Sequence, residues 1–389
     1  MKKRNLIIII LVVVILGGYA AGIPLYKKWN QPLGESLQLP TLTPAEVDNF
    51  VPEATPTDFQ PVEEQGSTPD ASEPTALHPT DTPIPTATFE PLCGGPATMT
   101  VLALGVDSGG DNDYLYGLAD VIKLVRIDFV TPKVTVMSLP RDLWVQIPGL
   151  QEHGVTEGKL NQSYFFGTKG MGYYDGPGGA PGLMARTLQE NFGLTVDHYG
   201  TVNMVTFVKM VDAVGGVDVY LPYDVDGRPV DDKTEDMGYF YSGVNHLTGE
   251  AALRLSRVRK TDSIFARMDR QKTVLCALKD KVLQPAVLPK IPELIAAFQG
   301  SIVTDLSPAQ MTQMACLLPK LSSENIIFGG IPEEELTQSR QWDARGGYET
   351  FVWDIDNQKV RDYIAQFMAG SFPVAGESAG CPPPVNVEQ

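Results

Sequence analysis

An uninterrupted apolar stretch near the N-terminus, from about Leu6 to Ile23, constrains this chain more than any other feature. A helix of that length, rising about 1.5 Å per residue, roughly crosses a hydrocarbon core ~30 Å thick. Basic residues precede the stretch and favour a cytoplasmic N-terminus. We therefore predict a cytoplasmic tail over residues 1–4 and a single-pass transmembrane signal-anchor over residues 5–26. A signal peptide cleaved around Gly18–Gly22 is the alternative, although its apolar core would be unusually long.

The composition changes after the apolar stretch. Pro, Thr, Ser, Asp and Glu dominate up to Leu92, and no Lys or Arg occurs between Lys28 and Lys123. Such a segment buries too little apolar surface to offset the entropy of ordering, so we predict a disordered acidic linker over residues 27–92. The formal net charge of −17 argues against a nucleic-acid partner, because an acidic surface repels phosphate polymers.

An extracellular domain over residues 93–381 and a short tail over residues 382–389 complete the predicted organisation. The domain alternates short β-branched runs with segments of helical apolar spacing, which predicts an α/β (α+β mixed) fold with a central mixed β-sheet surrounded by helices. The predicted strands are Thr98–Leu104, Ala119–Phe129, Val134–Leu139, His198–Asn203, Val217–Leu221 and Asn325–Phe328. The predicted helices cover residues 182–192, 205–214, 268–284, 292–298, 308–320 and 358–368, and a further helix begins with Thr248 as N-cap.

Four cysteines in an exported chain of this size indicate two disulfides. Cys93 and Cys381 bound the predicted domain, whereas Cys276 and Cys316 fall on two predicted helices. Of the three possible connectivities we expect Cys93–Cys381 and Cys276–Cys316. Buried free thiols are the alternative for the interior pair.

The stretch from Arg254 to Lys272 concentrates basic charge that the rest of the chain lacks. Its basic residues are Arg254, Arg257, Arg259, Lys260, Arg267, Arg270 and Lys272. Guanidinium groups bind phosphate oxygens in pairs, and several together can neutralise a diphosphate. A solvated charged face is the alternative, but apolar residues lie between the charges and should hold the segment against a core. These are Leu255, Val258, Ile264 and Phe265. We therefore predict a site for an anionic ligand.

Carboxylates and one further arginine lie at the ends of predicted strands. Asp107 follows the first strand, Asp120 begins the second, and Arg141 and Asp142 follow the third. Loops at strand ends commonly carry ligand-binding groups, although an isolated carboxylate there is more often a turn or cap residue.

These motifs, in this order, resemble the LytR–CpsA–Psr (LCP) family of membrane-anchored cell-wall enzymes. The matching pieces are Leu104–Asp107, Ala119–Asp120, Ser138–Asp142, Lys159–Asn161 with Tyr164 and Gly167, Val214–Asp218, Leu247–Leu253, Arg257–Arg259, Arg267 and Arg270–Gln271. They span about residues 99–283. Each piece is weak alone, and the ordered set carries the resemblance.

The resemblance implies a phosphotransferase that moves a glycopolymer from a polyprenyl-diphosphate carrier onto peptidoglycan at the outer face of the cell membrane. Asp107 and Asp120 match the family's metal ligands, for Mg²⁺ (or Mn²⁺). The positions that match diphosphate-binding residues are Arg141, Arg257, Arg259, Arg267 and Gln271. Oxygen ligands suit Mg²⁺, and phosphoryl transfer depends on such electrostatic positioning.

Two residues are candidates for catalysis, Arg267 at the phosphate and Asp262 as the base that activates the acceptor hydroxyl. The family has an Asp three residues before the arginine matched by Arg267, where this chain has Ile264, and Asp262 stands two residues earlier. This departure motivates one alternative hypothesis, a non-catalytic envelope protein that binds polyprenyl-linked polymer. A polyprenyl-diphosphate phosphatase is a further alternative.

Overall fold

The computed structural model describes residues 26–40, 90–109, 114–232, 234–259, 264–343, 346–372 and Cys381. The predicted tails, the predicted membrane span up to residue 25 and residues 41–89 of the predicted linker lie outside these ranges. Within the described ranges, no helix combines the length and the apolar composition that crossing a bilayer requires.

The described residues contain the following elements. The strands are β1 (Thr98–Val106), β2 (Ala119–Asp128), β3 (Lys133–Leu139), β4 (Trp144–Gln146), β5 (Glu157–Lys159), β6 (His198–Asn203), β7 (Val217–Leu221), β8 (Val225–Asp226), β9 (Tyr239–Phe240), β10 (Gly243–Leu247), β11 (Val303–Thr304), β12 (Ile326–Gly330), β13 (Thr337–Asp343) and β14 (Tyr348–Asp354). The helices are α1 (Leu160–Phe166), α2 (Gly179–Phe192), α3 (Met204–Ala213), α4 (Gly249–Arg257), α5 (Ile264–Val282), α6 (Ile291–Ala297), α7 (Pro308–Leu317) and α8 (Asn357–Ala369).

A six-stranded sheet in the order β11–β6–β1–β2–β3–β12 forms the centre of the domain. The three strands β1, β2 and β3 are antiparallel neighbours, whereas β6 and β12 run parallel to β1 and β3. The sheet is therefore mixed, as predicted. The period-two alternation predicted β2 and β3 correctly, because successive side chains of a strand point to opposite faces of the sheet.

One face of the sheet packs against helices with few gaps. Ile122 and Leu124 of β2 are buried there with Leu183 of α2 and Phe367 of α8. The opposite face carries Val121, Lys123 and Val125 of β2 and is covered by α3, α4 and α5. These three helices form a second apolar cluster with β7 and β10. The two faces thus differ in what they pack against.

The sequence patterns missed several short elements. The hairpin β13–β14 was not predicted, although the backbone N–H of Trp353 in β14 donates to the carbonyl of Asp142 at 3.0 Å. Helix α1 was also missed, although its first residues belong to the matching piece Lys159–Asn161. Exposed hairpins alternate weakly, and a helix of seven residues shows barely two turns of periodicity.

Part of the predicted linker lies on the domain. Within residues 33–40, Leu37 and Leu39 pack against the main apolar core, and the Tyr199 hydroxyl donates to the carbonyl of Glu35 at 2.9 Å. The prediction of a disordered linker is therefore wrong for this part. These leucines supply apolar surface that the average composition of the segment conceals, and the core of the domain buries it.

The cysteines form two disulfides, as predicted, but with a different connectivity. Cys93 is bonded to Cys316 with a Cα–Cα distance of 5.9 Å, and Cys276 is bonded to Cys381 at 5.6 Å. The expected pairing of the two ends is wrong because α7, which carries Cys316, packs on the turn Leu92–Gly94 through a small apolar cluster. The chain order of the cysteines does not reveal this contact.

Non-reducing peptide mapping tests the connectivity. We expect cross-linked peptides that join Cys93 to Cys316 and Cys276 to Cys381. Replacing Cys93 and Cys316 together by Ser should lower the free energy of unfolding by about 2–4 kcal/mol, because the bridge closes a long loop in the unfolded chain. Recovery of a Cys93–Cys381 peptide from folded protein would contradict the structure.

Candidate functional site

A cavity of about 470 Å³ lies between the central sheet and helices α3, α4 and α5. Most of its wall is apolar, with contributions from Val125, Val136 and Phe328 on the sheet and Phe207, Leu253 and Leu275 on the helices. Charged residues gather at one end, where β1 ends and β2 begins. The cavity thus joins an apolar interior to a charged mouth.

Small residues on the sheet keep this space open. Ala103 of β1 pairs with Gly200 of β6 on one side and with Lys123 of β2 on the other. A Cβ atom added to Gly200 would meet no atom within 4 Å, so this position faces open space. Larger residues in this row would fill the gap between sheet and helices.

The cavity extends towards a second apolar space of about 200 Å³. Met210 of α3 and Leu278 of α5 line both spaces. Leu33 of the docked N-terminal segment and Phe298 line the second one. The apolar space available to a long hydrocarbon chain therefore continues beyond the main cavity.

Asp107 and Asp120 both line the charged end of the cavity. Adjacent antiparallel strands bring them there, since Val106 pairs with Ala119 in the β1–β2 register. Burial raises the pKa of Asp107, and the negative charge of Asp120 raises it further, against a hydrogen bond from the backbone N–H of Leu118. Two carboxylates that repel each other at the mouth of a cavity suit a divalent cation.

Two arginines bind the carboxylate of Asp120. Arg141 Nη1 contacts Asp120 Oδ1, and Arg259 Nη2 lies 3.2 Å from Asp120 Oδ2. Arg141 Nε also donates to Asp142 at 3.1 Å, and Lys159 Nζ binds the other oxygen of Asp142 at 3.1 Å. Burial by itself would lower the pKa of Arg141, but Asp120 and Asp142 outweigh it and raise the pKa.

Arg267 has the least compensated charge in the site. Its side chain is buried, with 7% of the residue exposed, and among the described residues no carboxylate pairs with it. Its Nε has no hydrogen-bond partner. Burial lowers the pKa of Arg267 to about 10, and the positive charges of Arg141 and Arg259 contribute. A buried guanidinium in this setting can bind an anion.

Arg257 and Gln271 also line the cavity, but both have protein partners. The guanidinium of Arg257 binds Glu235 with two hydrogen bonds of 2.9 and 3.2 Å. Gln271 Nε2 donates to the carbonyl of Ser256 at 3.4 Å. An anion that binds Arg257 must therefore compete with Glu235, whereas no carboxylate of the described residues competes for Arg267.

Apolar contacts hold the basic stretch in place, which argues against a solvated charged face. Leu255 and Val258 are fully buried, and Phe265 packs edge-on against Trp353 at 6.3 Å between ring centroids. Arg270 Nη2 donates to the carbonyl of Val258 at 2.7 Å and so joins α5 to the end of α4. Helix α4 begins at the predicted N-cap Thr248.

The predicted site residues do not all lie in one cavity. Arg141 lines a small adjoining pocket together with Asp120 and Arg267, rather than the wall of the main cavity. Asp262 lies outside the described residues, and Ile264 is the first residue of α5. Asp107, Asp120, Arg257, Arg259, Arg267 and Gln271 lie together on the cavity wall.

The two carboxylates fit a magnesium-type site with phosphate rather than an all-protein metal cage. Among the described residues, no three His, Cys, Asp or Glu side chains form a cluster that could hold a metal ion. Mg²⁺ usually retains several waters and takes one or two carboxylates together with substrate phosphate. Asp107 and Asp120 meet that smaller requirement.

Lys123 is a member of this site that the sequence patterns did not identify. It is buried on β2, lines both the main cavity and the adjoining pocket, and donates to Ser138 Oγ at 2.8 Å. Burial lowers the pKa of Lys123 to about 8. The sequence signal that could have identified Lys123 is a lysine at a position of β2 where the alternation predicts an inward-facing apolar residue.

Two cell-wall transferases are similar to this chain in sequence. The chain is 30% identical over 242 residues to polyisoprenyl-teichoic acid–peptidoglycan teichoic acid transferase TagU of Enterococcus faecalis, covering 61% of this chain and 69% of that protein. It is 34% identical over 211 residues to the protein of the same name from Oceanobacillus iheyensis, covering 54% of this chain and 59% of that protein. The chain thus spans about three-fifths to two-thirds of these relatives.

The crystal structure of TagV from B. subtilis shares the fold. The superposition has a TM-score of 0.52 at 25% sequence identity and covers 71% of this chain and 98% of that structure. A sequence model of the LytR_cpsA_psr family matches residues 85–362, a range that contains the whole sheet and every residue of the charged mouth. On that match, the chain belongs to the LytR_cpsA_psr family.

Proposed function

We propose that this protein transfers a glycopolymer from a polyprenyl-diphosphate carrier onto peptidoglycan. The observation that carries the proposal is the buried guanidinium of Arg267, which pairs with no carboxylate of the described residues. It lies beside Arg141 and Arg259 at the mouth of an apolar cavity. The family membership and the transferase names of the two TagU relatives support the same reaction class.

The ligand must match both parts of the site. A diphosphate supplies anionic oxygens for Arg259 and Arg267, which lie at the mouth. A polyprenyl chain gains about 0.8 kcal/mol for each CH₂ group that leaves water, and the wall beyond the arginines is apolar. A free sugar phosphate would leave that wall unused, so the proposed donor is a lipid-linked glycopolymer.

The transfer is a displacement at the phosphorus that carries the glycopolymer. An acceptor hydroxyl of peptidoglycan attacks this phosphorus, its proton leaves, and the bond to the bridging oxygen breaks to release polyprenyl phosphate. Arg141, Arg259 and Arg267 hold the phosphates in position and stabilise the charge that develops on them. Asp107 and Asp120 would hold a divalent ion, preferably Mg²⁺, and the chemistry supplied there is neutralisation of charge on phosphate oxygens.

The proposed setting is the outer face of the cell membrane. The apolar stretch over residues 5–26 would anchor the chain with its N-terminus in the cytoplasm, and the domain would act outside. Two disulfides support this placement, because disulfides persist in oxidising compartments.

A transfer assay with a lipid-linked donor and peptidoglycan tests the function, and Arg259→Lys tests the mouth. We expect this variant to bind a polyprenyl diphosphate about tenfold more weakly, because Lys keeps the charge but loses the two-pronged contact. Arg340→Lys, an exposed arginine of β13, is the matched control and should bind normally. Release of polyprenyl phosphate without acceptor would instead indicate a phosphatase. Tight binding with neither product would indicate a non-catalytic binding protein.

Replacing Asp107 by Asn tests the proposed metal ligands. Asn can still accept the hydrogen bond from Leu118 N–H, so the local fold should survive while the negative charge is lost. We expect the Mg²⁺ concentration needed for half-maximal binding of farnesyl diphosphate, measured by calorimetry, to rise about tenfold or more. Asp128→Asn, at the other end of β2, is the control. Equal Mg²⁺ dependence in both variants would remove Asp107 from the site.

Asp262→Asn tests the proposed base. We expect transfer to slow by about 10²–10⁴-fold while binding of the lipid-linked donor stays within about twofold, because a general base acts on the acceptor proton only. The rate and the donor affinity should be measured on the same protein sample. Unchanged turnover in the Asn variant would leave proton removal to the substrate or to water.

A further inference from the structure

Lys123 is buried where the charged mouth meets the apolar part of the cavity. Along β2 the residues that face the cavity are Val121, Lys123 and Val125, in order from the mouth inwards. Two residues of strand advance about 6.6 Å, so the lysine backbone lies one step deeper than Val121. Its side chain shares the adjoining pocket with Arg141 and Arg267.

This ammonium group is not paired as a structural lysine would be. Ser138 Oγ, at 2.8 Å, is the single hydrogen-bond partner of Nζ within the described ranges, although an ammonium has three donors. The residue is 5% exposed. Burying a charge without a paired counter-charge is destabilising, and an anionic ligand at Nζ would supply the missing charge.

Charged residues of the mouth and of helix α5 lie near Lys123. Asp120 and Arg141 line the adjoining pocket with it. Asp269 is exposed and acts on Lys123 at a distance, and Lys272 opposes it. Lys272 Nζ itself lies over the Phe328 ring, 5.9 Å from its centroid. Arg267, also on α5, lines the same pocket as Lys123, whereas Asp269 and Lys272 do not. No carboxylate of the described residues forms an ion pair with Lys123.

A bound carrier would have its two phosphates in a fixed order along the cavity. The phosphate that bears the glycopolymer must remain near the mouth, where the acceptor can reach it. The phosphate that bears the polyprenyl chain must lie deeper, because the chain enters the apolar part beyond it. Lys123 lies between the guanidinium groups and the apolar residues Val125 and Val136. The second phosphate would occupy the same depth in the cavity.

We propose that the Lys123 ammonium binds the lipid-side phosphate of the carrier and stabilises it as it leaves. This inference rests on the proposed function. In the transfer the bond between the outer phosphorus and the bridging oxygen breaks, and the electron pair stays on that oxygen. The polyprenyl phosphate thereby gains one negative charge beside Lys123, while the acceptor proton goes to the base. An ammonium contact at this oxygen is stronger after bond cleavage than before it, which favours the transition state.

Binding of matched lipids to Lys123→Met tests the proposal. The probes are farnesyl diphosphate, farnesyl phosphate and farnesol, titrated into wild type and variant. We expect the variant to bind both phosphorylated lipids about tenfold or more weakly, because a hydrogen bond to a charged group is lost. Farnesol should bind equally well or better, since Met extends the apolar wall. The variant should unfold at the same temperature as wild type or a higher one, because a buried charge has been removed.

Two further variants complete the test. Lys272→Met removes a neighbouring cation that does not line the cavity and should bind all three probes as wild type does. Ser138→Ala removes the acceptor that holds Nζ and should weaken only the phosphorylated probes, by less than Lys123→Met.

Equal loss for all three probes in Lys123→Met would show a purely structural lysine and overturn the proposal. Unchanged binding of the phosphorylated probes would also overturn it, and would leave the proposed transfer standing. If wild type itself binds no phosphorylated lipid, the proposed function fails too.

Discussion

This structure depends on one constraint. Like charges lie close together in the mouth without a full set of counter-charges. Arg141, Arg259 and Arg267 lie close enough for their charges to act on one another, and Asp120 binds only the first two. Such a cluster persists only if the surrounding fold holds it by other means. The fold does so with buried apolar residues on both sides of the basic stretch, and with hydrogen bonds that join α4 to α5.

The two faces of the central sheet are also packed differently. One face contributes to the largest apolar cluster of the described residues, with large side chains against α1, α2 and α8. The other face has small residues such as Ala103 and Gly200, and the helices that cover it leave the space open. A protein that binds a long apolar chain must leave part of its interior unfilled, and the densely packed face offsets the resulting loss of contacts.

Local sequence patterns predicted the elements that local physics controls. The alternating runs of β2 and β3, the strand His198–Asn203 and the N-cap at Thr248 all follow from side-chain direction or capping within a few residues. The motifs likewise identified the carboxylates and arginines of the mouth, because those residue types are the ones that bind metal and phosphate. The predictions that failed were non-local, namely the disulfide connectivity and the free linker over residues 33–40.

The sequence by itself determined the class of fold, the family resemblance and the kinds of group available to the site. Only the tertiary structure decided which of the charged groups are paired with an opposite charge. Arg257 meets Glu235, Arg141 meets two carboxylates, and Arg267 meets none among the described residues. Charge compensation depends on distances between segments far apart in the chain, and no local pattern encodes them. For the same reason Lys123 resembles an irregularity in a strand until the fold places it between the arginines of the mouth and the apolar cavity.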